Sequence, residues 1–221
     1  MKETEKLNEL FDEWQNGDSG FVRDGVFCDK QYNKERRKIL YILKDVHVDE
    51  SKAKPPYDLR HDLINNPKGE GRTWNNIARW TIALLDDVIS LKPPTITPSV
   101  LSQQMARVSA MNLKKAKGGP HAVIEEIKEH AEENHKNIRR EIRICNPDLI
   151  VACGTIEELK KYIFTSFEVL EERNLLLGTK ELILADIDGK SYRVVDYRHP
   201  GQGCSSEKSF LDMIEVRKFF L

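Results

Sequence analysis

Asp45, His47 and Asp49 stand at alternate positions just after the apolar run Ile39–Leu43. Farther along, Asn112 closes a second apolar stretch, and His199 follows a third, just before Pro200-Gly201-Gln202-Gly203. Each residue type suggests a task. A carboxylate can orient or activate a water. An amide side chain carries both a donor and an acceptor, so it can pair with the edge of a base. A histidine can stabilise negative charge developing on a leaving group. Used together, the three positions hold the equipment to hydrolyse an N-glycosidic bond to a nucleobase. Used alone, Asp45, His47 and Asp49 suggest different chemistry, because carboxylates and an imidazole after a strand can hold a divalent metal. The remaining histidines are scattered, with His61 in a loop and His121, His130 and His135 along one helix. No second ligand cluster follows, so a site without metal or cofactor is expected.

The elements that carry these residues follow from hydrophobic pattern. Ile39–Leu43 is too short for a helix and ends abruptly at Lys44-Asp45, which predicts a buried parallel strand. The stretch 107–113 and the run Asp148-LIVAC predict a second and a third strand. ELILADI and SYRVVDY flank Asp188-Gly189, a hairpin signal. Helices are expected over residues 2–15, from an N-cap at Thr73 through Leu91, from Pro120 to about Arg143, and from about Ser206 to Leu221. A short helix should begin at Thr97-Pro98-Ser99. Strands alternating with helices predict an α/β fold, a three-layer α/β/α domain around a central, mainly parallel four-stranded sheet. In such sheets the carboxyl ends of the strands face the ligand crevice. That edge would collect Asp45, Asn112 and His199, with the long stretch Glu50–Arg72 lying over it. One domain is expected over 1–221, with an N-terminal helical extension at about 1–28.

Composition narrows the class. The formal net charge is −1 with 32% charged residues, a balance that neither demands nor excludes a nucleic-acid partner. Local basic clusters stand at Lys34, Arg36, Arg37 and Lys38, at Lys114, Lys115 and Lys117, and at Arg139, Arg140 and Arg143. Most such clusters are solvated helix faces. Lys114 and Lys115 are candidates to touch phosphates, which would supply salt-dependent affinity without sequence preference. Cys28, Cys145, Cys153 and Cys204 show neither CxxC pairing nor zinc spacing, which fits a reduced, cytoplasmic protein. The acidic, amphipathic start is unlike a signal peptide, and no apolar run nears the roughly 18 residues of a membrane span. Neither a GxGxxG nor a Walker loop is present.

In this order and spacing the chain resembles the uracil-DNA glycosylase superfamily, from about Ile39 to Phe210. ILYILKDV resembles the water-activating motif after the first strand. Asn112 in SAMNLKK resembles the base-reading asparagine, NPDLIVACGT the third strand, and HPGQG the His-Pro loop that enters the DNA minor groove. The resemblance implies Asp45 and His199 as catalytic residues and Asn112 as the base-binding residue. It places Lys114, Lys115, Gly201 and Gln202 against DNA, single- or double-stranded. The implied enzyme is a monomeric, monofunctional hydrolase that leaves an abasic site. The first motif lacks the usual Gly and Pro, and the last loop lacks a Ser-Pro pair with an apolar wedge. The base is therefore open between uracil and a phage-type modified pyrimidine. Two other readings remain: an inactive DNA- or partner-binding module on the same fold, and a metal-dependent phosphohydrolase using Asp45, His47 and Asp49.

Overall fold

The computed structural model describes residues 1–17, 20–47, 57–65, 67, 71–119, 122–201, 203 and 205–220, without the side chains of residues 47, 219 and 220. Seven strands form the main sheet: β1 (Gly25–Val26), β2 (Ile39–Leu43), β3 (Ser109–Asn112), β4 (Leu149–Cys153), β5 (Ser166–Leu175), β6 (Gly178–Ile187) and β7 (Lys190–Tyr197). Their spatial order is β1-β3-β2-β4-β7-β6-β5. β3, β2, β4 and β7 are parallel neighbours, whereas β1, β6 and β5 add antiparallel pairings at the two sides. The fold is therefore α/β with a mixed sheet and a parallel core, wider than the expected four strands.

The central strands read as continuous apolar runs because both faces are covered. Ile39, Tyr41 and Leu43 enter one apolar cluster, while Leu40 and Ile42 enter the other. On the first face lie α3 (Leu59–Asn65), α4 (Arg72–Leu85), α5 (Pro98–Met105) and α9 (Ser206–Phe220), which contribute residues such as Leu63, Trp80, Leu101 and Met213. On the second lie α1 (Glu3–Gln15), α6 (Ile124–Glu133), α7 (His135–Cys145) and the short α8 (Ile156–Glu158), which runs on into one π-helical turn. A four-residue helix, α2 (Asp29–Tyr32), precedes β2.

Several elements differ from expectation, each for a local reason. β5 escapes the pattern because it is exposed along nearly its whole length, and a bulge lies opposite Leu182/Ile183. A strand with no buried face shows no alternation; the backbone ladder to β6 holds it. The single helix expected from Pro120 is two, broken at Asn134. Its Nδ2 donates back to the His130 carbonyl at 3.0 Å, and its Oδ1 accepts from Trp14 Nε1 at 2.8 Å. Such side-chain bonds compete with the helical ladder. α4 begins at Arg72 with Gly71 as its N-cap, not Thr73; Gly71 takes φ +101°, open to glycine. The start of the chain is more than a helical extension. α1 buries Leu7, Leu10 and Phe11, and Gly25–Val26 pairs with β3.

Other expectations match. Thr97 caps α5, its Oγ1 accepting from the Val100 N–H at 3.3 Å. Asp188 (φ 51°) and Gly189 (φ 85°) turn the β6–β7 hairpin, the positive values a type I′ turn requires. Cys145 and Cys153 are buried and in no disulfide among the described residues. Within the stretch expected to lie over the crevice, Tyr57–Asp58 pairs with Val22–Arg23 and α3 packs into the first apolar cluster. Residues 48–56, 66 and 68–70 of that stretch lie outside the described residues.

Candidate functional site

The carboxyl ends of the parallel strands share one edge, as their register requires. Leu43 pairs with Asn112, Ile42 with Ala152, and Tyr197 with Cys153. Asp45 leaves β2, Asn112 ends β3 and His199 leaves β7, so all three expected residues belong to this edge. Gln202 and Asp49 lie outside the described residues, as does the His47 side chain.

His199 is held in one protonation state. The Gly201 N–H donates to its Nδ1 at 3.1 Å, which leaves Nδ1 unprotonated and places the ring proton on Nε2. Burial, and then the nearby Lys44 ammonium, push its pKa down to about 4. The ring is therefore neutral at pH 7 and presents a single N–H donor. Gly154 between them needs glycine for its left-handed backbone (φ +71°) rather than for space, since a Cβ there would meet the His199 backbone nitrogen at 3.4 Å and Lys44 Cε at 3.7 Å, ordinary contact distances.

The loop after His199 is pinned from α4. A residue that sequence patterning missed does this: Asn76, fully buried, whose Nδ2 donates to the Pro200 carbonyl at 2.8 Å. Its Oδ1 accepts from Ser206 Oγ at 3.0 Å and Arg79 Nη1 at 3.2 Å. Asn-Asn-Ile in the first turn of a predicted helix gives no hint of this, apart from a polar side chain on the helix's apolar face. Gly201 fits where it does because a Cβ would stand 2.6 Å from Thr73 Oγ1. Behind the site, Trp80 meets Tyr197 edge-on at 5.1 Å.

Asp45 is half-buried and lies against Gly118, where any Cβ would collide with its carboxylate. That contact follows from the short parallel pairing of Val46–His47 with Lys117–Gly118. Gly118 thus shapes the room around Asp45.

Asn112 is 1% exposed and tied to Asp24, whose Oδ2 accepts from the Asn112 backbone N–H at 2.8 Å and from Nδ2 at 3.0 Å. Its Oδ1 is buried and has no hydrogen-bond partner among the described residues. A carboxylate oxygen accepts only, so Asp24 dictates which way the amide faces and leaves the carbonyl oxygen on the side away from it.

The expectation for Lys115 is corrected. Its ammonium has no exposure and is paired with Asp24 and with Glu141 Oε1 at 2.9 Å, so it cannot reach a phosphate. A charge this deep is tolerable only when paired and hydrogen-bonded. Burial alone would lower the pKa of Lys115, yet the two carboxylates raise it; burial holds Glu141 well above the usual carboxylate range. Phe11 and Trp14 cover the ammonium at 5.4 and 5.6 Å. Lys114 is nearer the surface and pairs with Glu126.

Among the described residues, no group of three or more His, Cys, Asp or Glu side chains could hold a metal ion. None of their helices is long and apolar enough to cross a membrane. No protein-family model matches the chain, and no curated protein matches it.

Proposed function

We propose that the chain is a DNA glycosylase that hydrolyses the N-glycosidic bond of a flipped base, uracil or a modified pyrimidine, and leaves an abasic site. The observation that carries this reading is the neutral, Nε2-protonated His199 on the same sheet edge as Asp45. A base that leaves as an anion needs a fixed donor where its charge develops. His199 Nε2–H supplies that donor from a neutral ring whose orientation the Gly201 N–H fixes through Nδ1. The Asp45 carboxylate orients the attacking water and stabilises the positive charge building on the sugar. Asn112 Oδ1, buried in the unbound chain, would accept from an N–H of the base once base entry uncovers it, while Asp24 fixes the amide. Flipping is required because the bond is closed to water inside the stack.

The test is a panel of single- and double-stranded oligonucleotides carrying different damaged or modified bases, scored for abasic sites with and without excess chelator. Release of one base that survives chelation is the expected result. Loss on chelation with rescue by a divalent ion would move Asp45, His47 and Asp49 to the role of ligands in a phosphohydrolase.

A second reading, an inactive DNA- or partner-binding module, draws on one observation. Lys115 and the Asn112 amide nitrogen are committed to Asp24 in the interior. Intact oligonucleotides across the whole panel, with retained DNA binding, would favour it.

A further inference from the structure

At the opposite, amino edge of the sheet lies a cavity of about 190 Å³. Ile39 and Leu149, the first residues of β2 and β4, form its floor with Leu84 from the end of α4. Around it stand Arg36, Arg37, Arg193 and Arg217, four guanidiniums against the single carboxylate of Asp148.

Such a cluster costs electrostatic energy unless something balances it. Arg217 is partly balanced, because its Nη2 donates to Asp87 Oδ1 at 2.5 Å and its Nη1 to the Asp86 carbonyl. Its Nε is buried without a hydrogen-bond partner among the described residues. Arg36 and Arg193 are both exposed, and make no hydrogen bond or ion pair among the described residues. Asp148 is itself engaged by the Lys38 N–H at 2.8 Å. The other three arginines oppose the charge on Arg37, which burial already penalises, so that Arg193, Arg36 and Arg217 hold it further below its ordinary pKa. Guanidiniums left with open donors are matched by phosphate oxygens, which they bind in paired, charge-assisted bonds.

We propose that this arginine-lined cavity binds a pyrophosphate group. Arg36 and Arg193, the two guanidiniums with open donors, can each take one phosphoryl group, and the cavity is below the roughly 300 Å³ at which drug-sized ligands are usually enclosed. A compact, highly charged anion fits both limits. The group could be inorganic pyrophosphate or the diphosphate of a nucleotide. The site is independent of the glycosylase reading, because it lies across the sheet from Asp45 and His199.

The experiment is titration calorimetry on the full chain at physiological salt with inorganic pyrophosphate, ADP, inorganic phosphate and sulfate. Saturable binding of pyrophosphate near one per chain, at least tenfold tighter than phosphate or sulfate, is expected. Arg36→Ala with Arg193→Ala should weaken it by tenfold or more, and both side chains are exposed enough for the fold to survive. Should that pair unfold, as judged by thermal melting, Arg193→Gln alone must still weaken binding. ADP tighter than pyrophosphate identifies a nucleotide as the source; equal or weaker binding identifies the inorganic ion. No saturable heat, phosphate and pyrophosphate binding alike, or affinity unchanged in the variants overturns the proposal.

Discussion

The Gly201 backbone N–H donates to His199 Nδ1 at 3.1 Å, and this single bond decides which nitrogen of the ring can act. It requires a loop that turns back on the histidine within two residues. Asn76 secures that turn from α4 by holding the Pro200 carbonyl.

His199 should titrate with a midpoint near pH 4 rather than at its ordinary 6.5, read from the ring resonances by NMR. The sign follows from proton uptake. Between pH 6.5 and 4 the unfolded chain binds the proton that folded His199 refuses, so its contribution to stability is complete above pH 6.5 and is lost as the pH falls toward 4. His130, also depressed to about 4, chiefly by burial, acts in the same direction. Under the proposed function, His199→Ala should slow base release on the order of 100- to 1000-fold on every substrate. A midpoint near 6.5 would mean that the ring is solvated and not held as described.

Asp45→Asn should slow base release by a comparable factor while leaving the denaturation midpoint and DNA affinity nearly unchanged. Gly118→Ala offers a check that spares the carboxylate itself. The added methyl would push Asp45 aside, and a displacement of about 1 Å can cost on the order of 100-fold in rate. Single-turnover kinetics on both variants would decide it, and wild-type rates in both would remove Asp45 from the mechanism.

Lys115→Ala should destabilise the fold by about 3–5 kcal/mol, because Asp24 and Glu141 would be left buried without their cation. Lys114→Ala breaks a pair with Glu126, which is half exposed, and should cost no more than about 1 kcal/mol. Urea midpoints measure both. The salt dependence of DNA binding bears on Lys114 alone. Equal stability losses would mean that Lys115 does not sit in a closed triad.

Asn112→Ala should change which base is released rather than slow all of them alike. Losing a base-edge hydrogen-bond set removes roughly 1–3 kcal/mol of discrimination, visible as altered competition between two modified bases in one reaction. Asn112→Asp is a poorer probe, since it would set a second carboxylate against Asp24. Proportional loss on every base would assign Asn112 a structural role only.

What could be read from the sequence was local. Ile39–Leu43 and Leu149–Cys153 declared themselves as strands because burial on both faces leaves an unbroken apolar run, and Asp188-Gly189 declared a hairpin because few residues accept positive φ. Parallel strands then imply a shared carboxyl edge, so Asp45, Asn112 and His199 could be grouped without coordinates. Tertiary structure decided what those side chains face. Lys114 and Lys115 are neighbours of the same type, yet one pairs near the surface and the other lies beneath Phe11 and Trp14. The difference rests on Asp24 and Glu141, 91 and 26 residues away from Lys115. The orientation of the Asn112 amide depends on the same Asp24, 88 residues distant. The exposed β5 strand was hidden for the converse reason: its backbone pairs with β6 while few of its side chains, Phe167 and Leu175 among them, pack on the rest of the chain, and backbone pairing leaves no mark in side-chain pattern. A residue's charge and periodicity are local properties, whereas its burial and partners are set by where the rest of the chain returns.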